Sequence, residues 1–270
     1  MLWLLRRGHL RARLADAIGA RLVPATRNSG DPVAFYDFDG TLVSGNVVTR
    51  YAWVARRHPS RAQAIWRLGK TVLGVPLWLA LDAFSRRLFN VVFFRLYRGL
   101  REDWLRAQAP ALFEARIRGE QFKFAKDRVA LDRAAGYRTV LVTGGIDLEM
   151  QPAAEYFGFD DLLANRLEFR DGVATGDIVP PLLAGEAKAA AWRAYAAASG
   201  VDMGASGAYS DSGSDLPMLT AVGNPIATNP DSRLRKEARA RGWAVLDLSR
   251  SSELVVAPGQ ERGGDSESSA

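Results

Sequence analysis

The sequence predicts an α/β fold: a parallel β-sheet with helices on both faces, interrupted by a long all-helical insert. Three observations carry this reading. Beyond residue 120, short apolar runs alternate with helical segments, the order that builds a parallel sheet. Three apolar runs end in polar, glycine-containing loops, at 37–41, 143–145 and 210–215. Residues 47–119 mix apolar residues with arginine and carry no hairpin signal.

Each element follows in chain order. Residues 2–22 read as a basic amphipathic helix, with Leu2, Trp3, Leu5, Leu10, Leu14 and Ile18 among Arg6, Arg7, Arg11 and Arg13. Such a helix suits either packing on the domain or anchoring at a membrane surface. The apolar run before Arg6 is too short for the core of a signal peptide. Pro24 to Asp31 is a linker. Val33-Ala-Phe-Tyr is a buried strand that ends at Asp37 and turns at Gly40-Thr41. Within the insert, Thr71–Phe84 is almost purely apolar, but Pro76 and Asp82 interrupt it, so no spanning helix is predicted there. Lys123–Ala135 is a helix ended by Gly136, and Thr139–Thr143 is a strand running into Gly144-Gly145. Asp147–Phe157 is a helix ended by Gly158. Leu167–Thr175 reads as a hairpin about Asp171-Gly172. Glu186–Ser199 is a helix ended by Gly200, and Ala205–Tyr209 is a strand before an acidic, serine-rich loop. Short strands at Pro225–Thr228 and Trp243–Leu246 flank a helix at Arg233–Arg241. Residues 251–270 are polar and read as a disordered tail. The expected organisation is an N-terminal helix and linker (1–30), a catalytic core (31–46 and 120–250), a helical insert (47–119) and the tail (251–270).

Composition excludes several classes. The 270 residues include no cysteine and only His9 and His58. That removes a disulfide framework, a thiol nucleophile and cysteine-ligated metals, and leaves no basis for a histidine-rich metal site or a serine triad. The net charge is +6, but it is unevenly spread: +5 over residues 1–30, −3 over 31–49, +10 over 50–101 and −6 over 102–270. The chain is an acidic body with two basic segments. Nucleic acid is not the expected partner, because the arginines are interleaved with large apolar runs and no recognition motif appears. Gly69-Lys70-Thr71 ends like a phosphate-binding loop, but Ala64 stands at its first glycine position and no strand precedes it.

In a parallel sheet, ligands sit beyond the carboxyl ends of the strands. The three loops should therefore converge and bring Asp37, Asp39, Asp211 and Asp215 into one cleft. Clustered carboxylates repel one another and resist desolvation, so a cation is expected among them. All-oxygen ligands with room for water fit Mg²⁺ best. Thr143 and the Gly144 and Gly145 amides can donate to phosphate oxygens, and Lys188, in the first turn of its helix, adds a positive charge. Together these groups suit Mg²⁺-assisted phosphoryl transfer.

Asp37-Phe-Asp39-Gly-Thr41-Leu, then Thr143, Lys188, and Asp211 with Asp215, resembles the four motifs of the haloacid dehalogenase-like phosphatase superfamily. The resemblance covers residues 33 to about 247 and extends to the phosphoserine phosphatase-like branch of subfamily IB, whose helical cap is inserted between the first two motifs. It implies a Rossmann-like sheet with a helical cap at 47–119. It further implies Asp37 as the nucleophile of an aspartyl-phosphate and Asp39 as acid and then base. Thr143 and Lys188 would hold the phosphoryl oxygens. Asp211 would bind Mg²⁺ with Asp37 and the backbone carbonyl of Asp39, while Asp215 would support the metal or hold Lys188.

The sequence departs from phosphoserine phosphatase in two places. That enzyme has a Glu nine residues after its nucleophile to meet the substrate amine, where this chain has Asn46. The fourth motif reads Ser210-Asp211-Ser-Gly-Ser-Asp215. A cytoplasmic phosphatase of a small phosphorylated metabolite is the favoured reading. The second is a membrane-associated phosphatase of phospholipid headgroups, similar to bacterial phosphatidylglycerophosphate phosphatases, with peripheral contact through cap and N-terminal helix. In the cap, Arg95 and Arg98 at i,i+3 spacing are the candidates to grip a second anionic group, ahead of Arg50 and Arg56. A catalytically inert binding module on the same fold is the competing class, against which all catalytic positions are filled.

Overall fold

The computed structural model describes residues 20–21 and 30–254. Most of the expected N-terminal helix and most of the expected tail lie outside these residues. Where they overlap, the helix is corrected: Ala20–Arg21 is a strand, β1. It pairs antiparallel with Leu162–Leu163 at an edge that no parallel neighbour covers.

β2 (Val33–Tyr36) leads into the insert. The insert holds α1 (Val47–Arg56), α2 (Arg61–Phe84), α3 (Arg86–Phe94) and α4 (Glu102–Leu112). The chain returns through α5 (Ala125–Ala134), β3 (Arg138–Ile146), α6 (Asp147–Phe157) and β4 (Asp161–Asn165). A hairpin follows, β5 (Leu167–Arg170) and β6 (Val173–Ile178). Then come α7 (Glu186–Ser199), β7 (Gly207–Ser210), α8 (Leu216–Leu219), β8 (Asn224–Thr228), α9 (Ser232–Arg241) and β9 (Ala244–Leu246).

The main sheet runs β1-β4-β3-β2-β7-β8-β9 and is parallel throughout except at β1. Successive residues of β2 face opposite sides, as a strand requires. Val33 and Phe35 pack with Trp192, Tyr195 and Leu234, while Ala34 and Tyr36 pack with Val129, Met150 and Phe157. One fully buried strand therefore anchors both helical layers.

Three differences from the sequence reading have physical causes. β3 does not stop at Thr143 but carries Gly144 and Gly145 to Ile146, with a register shift against β4 after Val142. β4 carries no clear signal in the sequence, because only Leu162, Leu163 and Ala164 stand between Asp161 and Asn165, too short an apolar run to mark a strand. α2 passes through Pro76 without a break, over 24 residues. Pro76 is exposed, so the backbone carbonyl that its ring leaves unpaired has access to water. By length and composition alone, Arg61–Leu81 is long and apolar enough to cross a membrane, with a mean hydropathy of 1.2 and 22% of that window buried. The hairpin turn at Asp171-Gly172 has positive φ at both residues, 50° and 73°, the twist that suits a two-residue connection.

The insert has a separate core. Trp53, Trp78, Phe89, Phe93 and Phe94 are buried there around Tyr51 and Tyr97. Ile146 and Leu148 join it from the sheet domain.

Trp192 is fully buried beneath the sheet, tilted against Phe35 at 5.2 Å. Trp192→Ala should cost about 3–5 kcal/mol, read as a fall in the urea midpoint with an unchanged slope.

Candidate active site

The site forms at the carboxyl ends of β2, β3 and β7. Asp37 directly follows β2, and its amide donates to the Tyr209 carbonyl at 2.9 Å, continuing the ladder to β7. The chain then turns tightly: the amides of Thr41, Leu42 and Val43 all point at the Phe38 carbonyl. Gly40 has φ +83°, and a Cβ there would lie 2.1 Å from Asp211 Oδ2. Both the backbone conformation and the contact require glycine. Asn229 donates to the carbonyls of Gly40 and Thr41 at 3.2 and 3.1 Å and so pins the turn. Asp231 accepts from Gly213 at 3.0 Å while capping α9 through Leu234, and its own amide bonds the Asp211 carbonyl. Asn229-Pro-Asp231 carries no chemical signal of its own in the sequence. Its role in holding two loops together depends on contacts 18 to 189 residues apart.

Lys188 is the electrostatic centre. Its Nζ donates to Asp37 Oδ1 at 2.5 Å and to Asp215 Oδ2 at 2.9 Å. Ser210 Oγ also donates to Asp215 Oδ2, at 2.9 Å. Burial alone would lower the Lys188 pKa, but the carboxylates of Asp215 and Asp37 outweigh it and hold the ammonium charged. Burial pushes Asp37 up to about 6, with Asp215 adding repulsion and Lys188 opposing. Asp211 rises to about 8, first through burial and then through the like charges of Asp37 and Asp215. Thr41 Oγ1 lies 3.4 Å from Asp37 Oδ2 and 3.3 Å from Asp211 Oδ1, bridging the two.

Asp39 lines the same cavity as Asp37 and Asp211. Arg50, from the insert, grips it with two bonds of 2.5 and 2.8 Å. Beyond Arg50 lies Glu149, in the first turn of α6, which is buried, accepts from Tyr97 at 2.7 Å and is pushed up to about 7 by that burial. Sequence spacing does not reveal Glu149, because an acid in the first turn of a helix is ordinary.

The donors do not all stand where the motifs place them. Thr143 is buried, and its hydroxyl accepts from the Gly145 amide at 3.0 Å. That amide is therefore occupied, and of this pair of glycines Gly144 lines the cavity. Of the four carboxylates expected around a metal, Asp39 is engaged through both oxygens by Arg50, and Lys188 engages Asp215 and only Oδ1 of Asp37, which leaves Asp37 Oδ2 to a metal. Asp37 and Asp211 remain, and no group of three acidic or histidine ligands occurs among the described residues. Two carboxylates with a backbone carbonyl and waters suit Mg²⁺, which binds through few protein ligands.

Arg95 and Arg98 are corrected. Arg95–Tyr97 is a single 3₁₀ turn, and Arg98 leaves it with ψ 130°, so α-helical spacing does not align the two side chains. Both pack on the hairpin instead, with Arg98 donating to the Thr175 carbonyl at 2.7 Å and a Cβ on Gly176 falling within 3.1 Å of each. Neither lines the cavity of about 610 Å³, whose outer wall is Val47, Phe84, Phe89 and Arg233. Arg56 lies outside it too. Asn46 caps α1 by accepting from Val48 and Thr49 and does not reach the cavity.

A carboxyl whose folded pKa lies above its unfolded value stabilises the fold at low pH and loses that contribution as pH rises through the folded value. For Asp211 the window runs from near 4 to about 8. In metal-free protein, Asp211→Asn should therefore raise Tm at pH 8 and leave it little changed at pH 4, measured by calorimetry. The same variant should lose Mg²⁺ binding by titration calorimetry.

Known proteins resemble this chain in sequence and in fold. The family described as haloacid dehalogenase-like hydrolase matches residues 34–220. "Phosphoserine phosphatase SerB1" of Mycobacterium tuberculosis is 30% identical over 225 residues, covering 80% of this chain and 70% of that one. "Inhibition of morphological differentiation protein" of Streptomyces azureus is 45% identical over 118 residues, covering 43% of this chain and 42% of that one. The chain thus spans less than half the length of some curated relatives it matches. Among solved structures, a protein of unknown function from Bordetella pertussis superposes with a TM-score of 0.69 at 30% identity, covering 81% of this chain and 99% of that one. A phospho-aspartyl intermediate analogue of phosphoserine phosphatase superposes with a TM-score of 0.60 at 20% identity, covering 82% and 94%, a likeness of fold.

Proposed function

The chain belongs to the haloacid dehalogenase-like hydrolases, and from that premise we propose that it is a Mg²⁺-dependent phosphatase cleaving a phosphate monoester through an aspartyl-phosphate. Mg²⁺ use and such an intermediate are general to phosphatases of the family. The observation that carries the reading is Lys188 bridging Asp37 and Asp215, with Asp211 across from Asp37 and no base on it among the described residues.

In this reading a carboxylate oxygen of Asp37 attacks phosphorus as the bond to the alcohol oxygen breaks, and Asp39 gives that oxygen its proton. Asp39 then takes a proton from water, which attacks the acyl phosphate and releases inorganic phosphate with Asp37 restored. Lys188, the Thr143 hydroxyl and the Gly144 amide hold the phosphoryl oxygens where charge spreads in the transition state. The Gly145 amide, by bonding Thr143 Oγ1, orients that hydroxyl so that its hydrogen faces away from the bond. Asp37, Asp211 and the Asp39 carbonyl would hold Mg²⁺, which supplies positive charge to the phosphoryl group.

Asp39 can serve as acid only when it exchanges Arg50 for the leaving oxygen, because both its oxygens are now taken. Arg50 thus couples the insert to the proton-transfer step. The substrate's organic group meets Val47, Phe84 and Phe89 at the outer wall. With Asn46 committed to capping α1, nothing at that position receives a substrate ammonium, which supports an ester other than phosphoserine.

p-Nitrophenyl phosphate turnover should require Mg²⁺ and stop on chelation. Asp37→Asn should lower kcat by about 10³-fold or more. Phosphoserine should be no better a substrate than p-nitrophenyl phosphate by kcat/KM. Wild-type activity in the Asp37→Asn variant would reject the covalent route.

A further inference from the structure

Helix α2 has two apolar faces, and only one of them packs against other described residues. Its inner stripe, Ala64, Leu68, Thr71, Trp78 and Leu81, packs into the insert, with Trp78 edge-on to Phe93 at 5.6 Å. Arg67 lies on the same inner side and donates to the carbonyls of Leu96 and Arg98 at 2.7 and 3.0 Å. The outer stripe should be polar on a helix that faces only water. Instead Ile65 is 73% exposed, Val72 and Leu79 are 68% and Leu73 is 83%. From Thr71 to Leu81 no residue is charged. The patch runs on through Phe84, 83% exposed, to Leu88 and Val91 on α3. Phe84 also lines the catalytic cavity, so the apolar patch reaches the mouth of the site.

Patches of this extent, rimmed by polar residues, mark an interaction surface. Charge identifies the occupant. Exposed Arg56, Arg57 and Arg61 stand at the start of α2, Lys70 on it and Arg87 just beyond its end. The whole stretch 50–101 has eleven bases against Asp82 alone. A second copy of this face would bring like charges together. The chain's own residues 1–19, with four arginines against Asp16, carry the same sign. What fits is both apolar and anionic. Arg67 and Trp78 bind the helix lengthwise to the insert, so α2 lies along the surface and does not cross a bilayer.

We propose that the outer face of α2, continued onto α3, docks on an anionic lipid bilayer and holds the cavity mouth against it. The substrate class that follows is a phosphate monoester carried in that bilayer, an inference resting on the phosphatase reading above.

The test uses the full chain and vesicles of phosphatidylcholine with or without phosphatidylglycerol. At low salt the protein should float with the anionic vesicles at least about tenfold more than with neutral ones, and high salt should release it. Leu73→Glu combined with Leu79→Glu should abolish flotation yet keep p-nitrophenyl phosphate turnover in solution, which also shows that the variant folds. Serine at both positions serves if the glutamates prevent folding. Phosphatidic acid in the vesicles should be hydrolysed at least about tenfold more slowly by the variant, while its soluble dibutyryl form is unaffected. Wild-type protein that stays in solution with anionic vesicles while turning over p-nitrophenyl phosphate overturns the proposal. So does a variant that only converts an oligomer to a monomer by light scattering, since the face would then belong to a second copy. Flotation without turnover of p-nitrophenyl phosphate supports the docking face and rejects the phosphatase reading alone.

Discussion

The site is organised by an excess of negative charge over the cations available to balance it. Lys188 serves both Asp37 and Asp215, and among the described residues Asp211 has no base of its own. Such an arrangement is unfavourable by itself, because burial raises the pKa of each unpaired carboxyl. It persists because the surroundings leave the carboxylates nowhere else to go. Gly40 allows Asp211 to approach, Asn229 fixes the turn after Asp37, and Asp231 holds the loop that carries Asp211. The frame is strongly over-determined, as expected where a fold sacrifices stability for chemistry.

A second electrostatic line joins insert and core. Asp39 belongs to the core and Arg50 to the insert, and their two-bond pairing has the strongest geometry available to such groups. Behind it, Tyr97 from the insert donates to Glu149 from the core. The insert is therefore keyed to the residue proposed to move the proton, and its position bears on that residue's freedom. The contact of Ile146 and Leu148 with the insert's aromatic core reinforces the same junction.

The distribution of charge has two separate physical meanings. Acidic residues in the core gather where a metal and a phosphoryl group would neutralise them. Basic residues in the insert flank an apolar helix face that the described residues leave uncovered. Net charge summed over the chain hides both facts, since the two regions partly cancel.

Much of the fold was legible because its signals are local. The apolar runs of β2 and β7, the glycines ending α6 and α7 and the Asp171-Gly172 turn each depend on a few adjacent residues. Parallel-sheet geometry then brings Asp37, Thr143, Lys188 and Asp211 to one end, whatever the detailed packing. The extension of β3 through two glycines and the antiparallel β1 were not legible, because a partner strand stabilises each. The same holds within the site. Residue types and spacing determined which groups could do the chemistry. Only tertiary structure decided that Asp39 meets Arg50, that Gly145 serves Thr143, and that Arg98 turns to the hairpin. It also decided which face of an apolar helix is buried, because periodicity assigns a face only when the other one is polar.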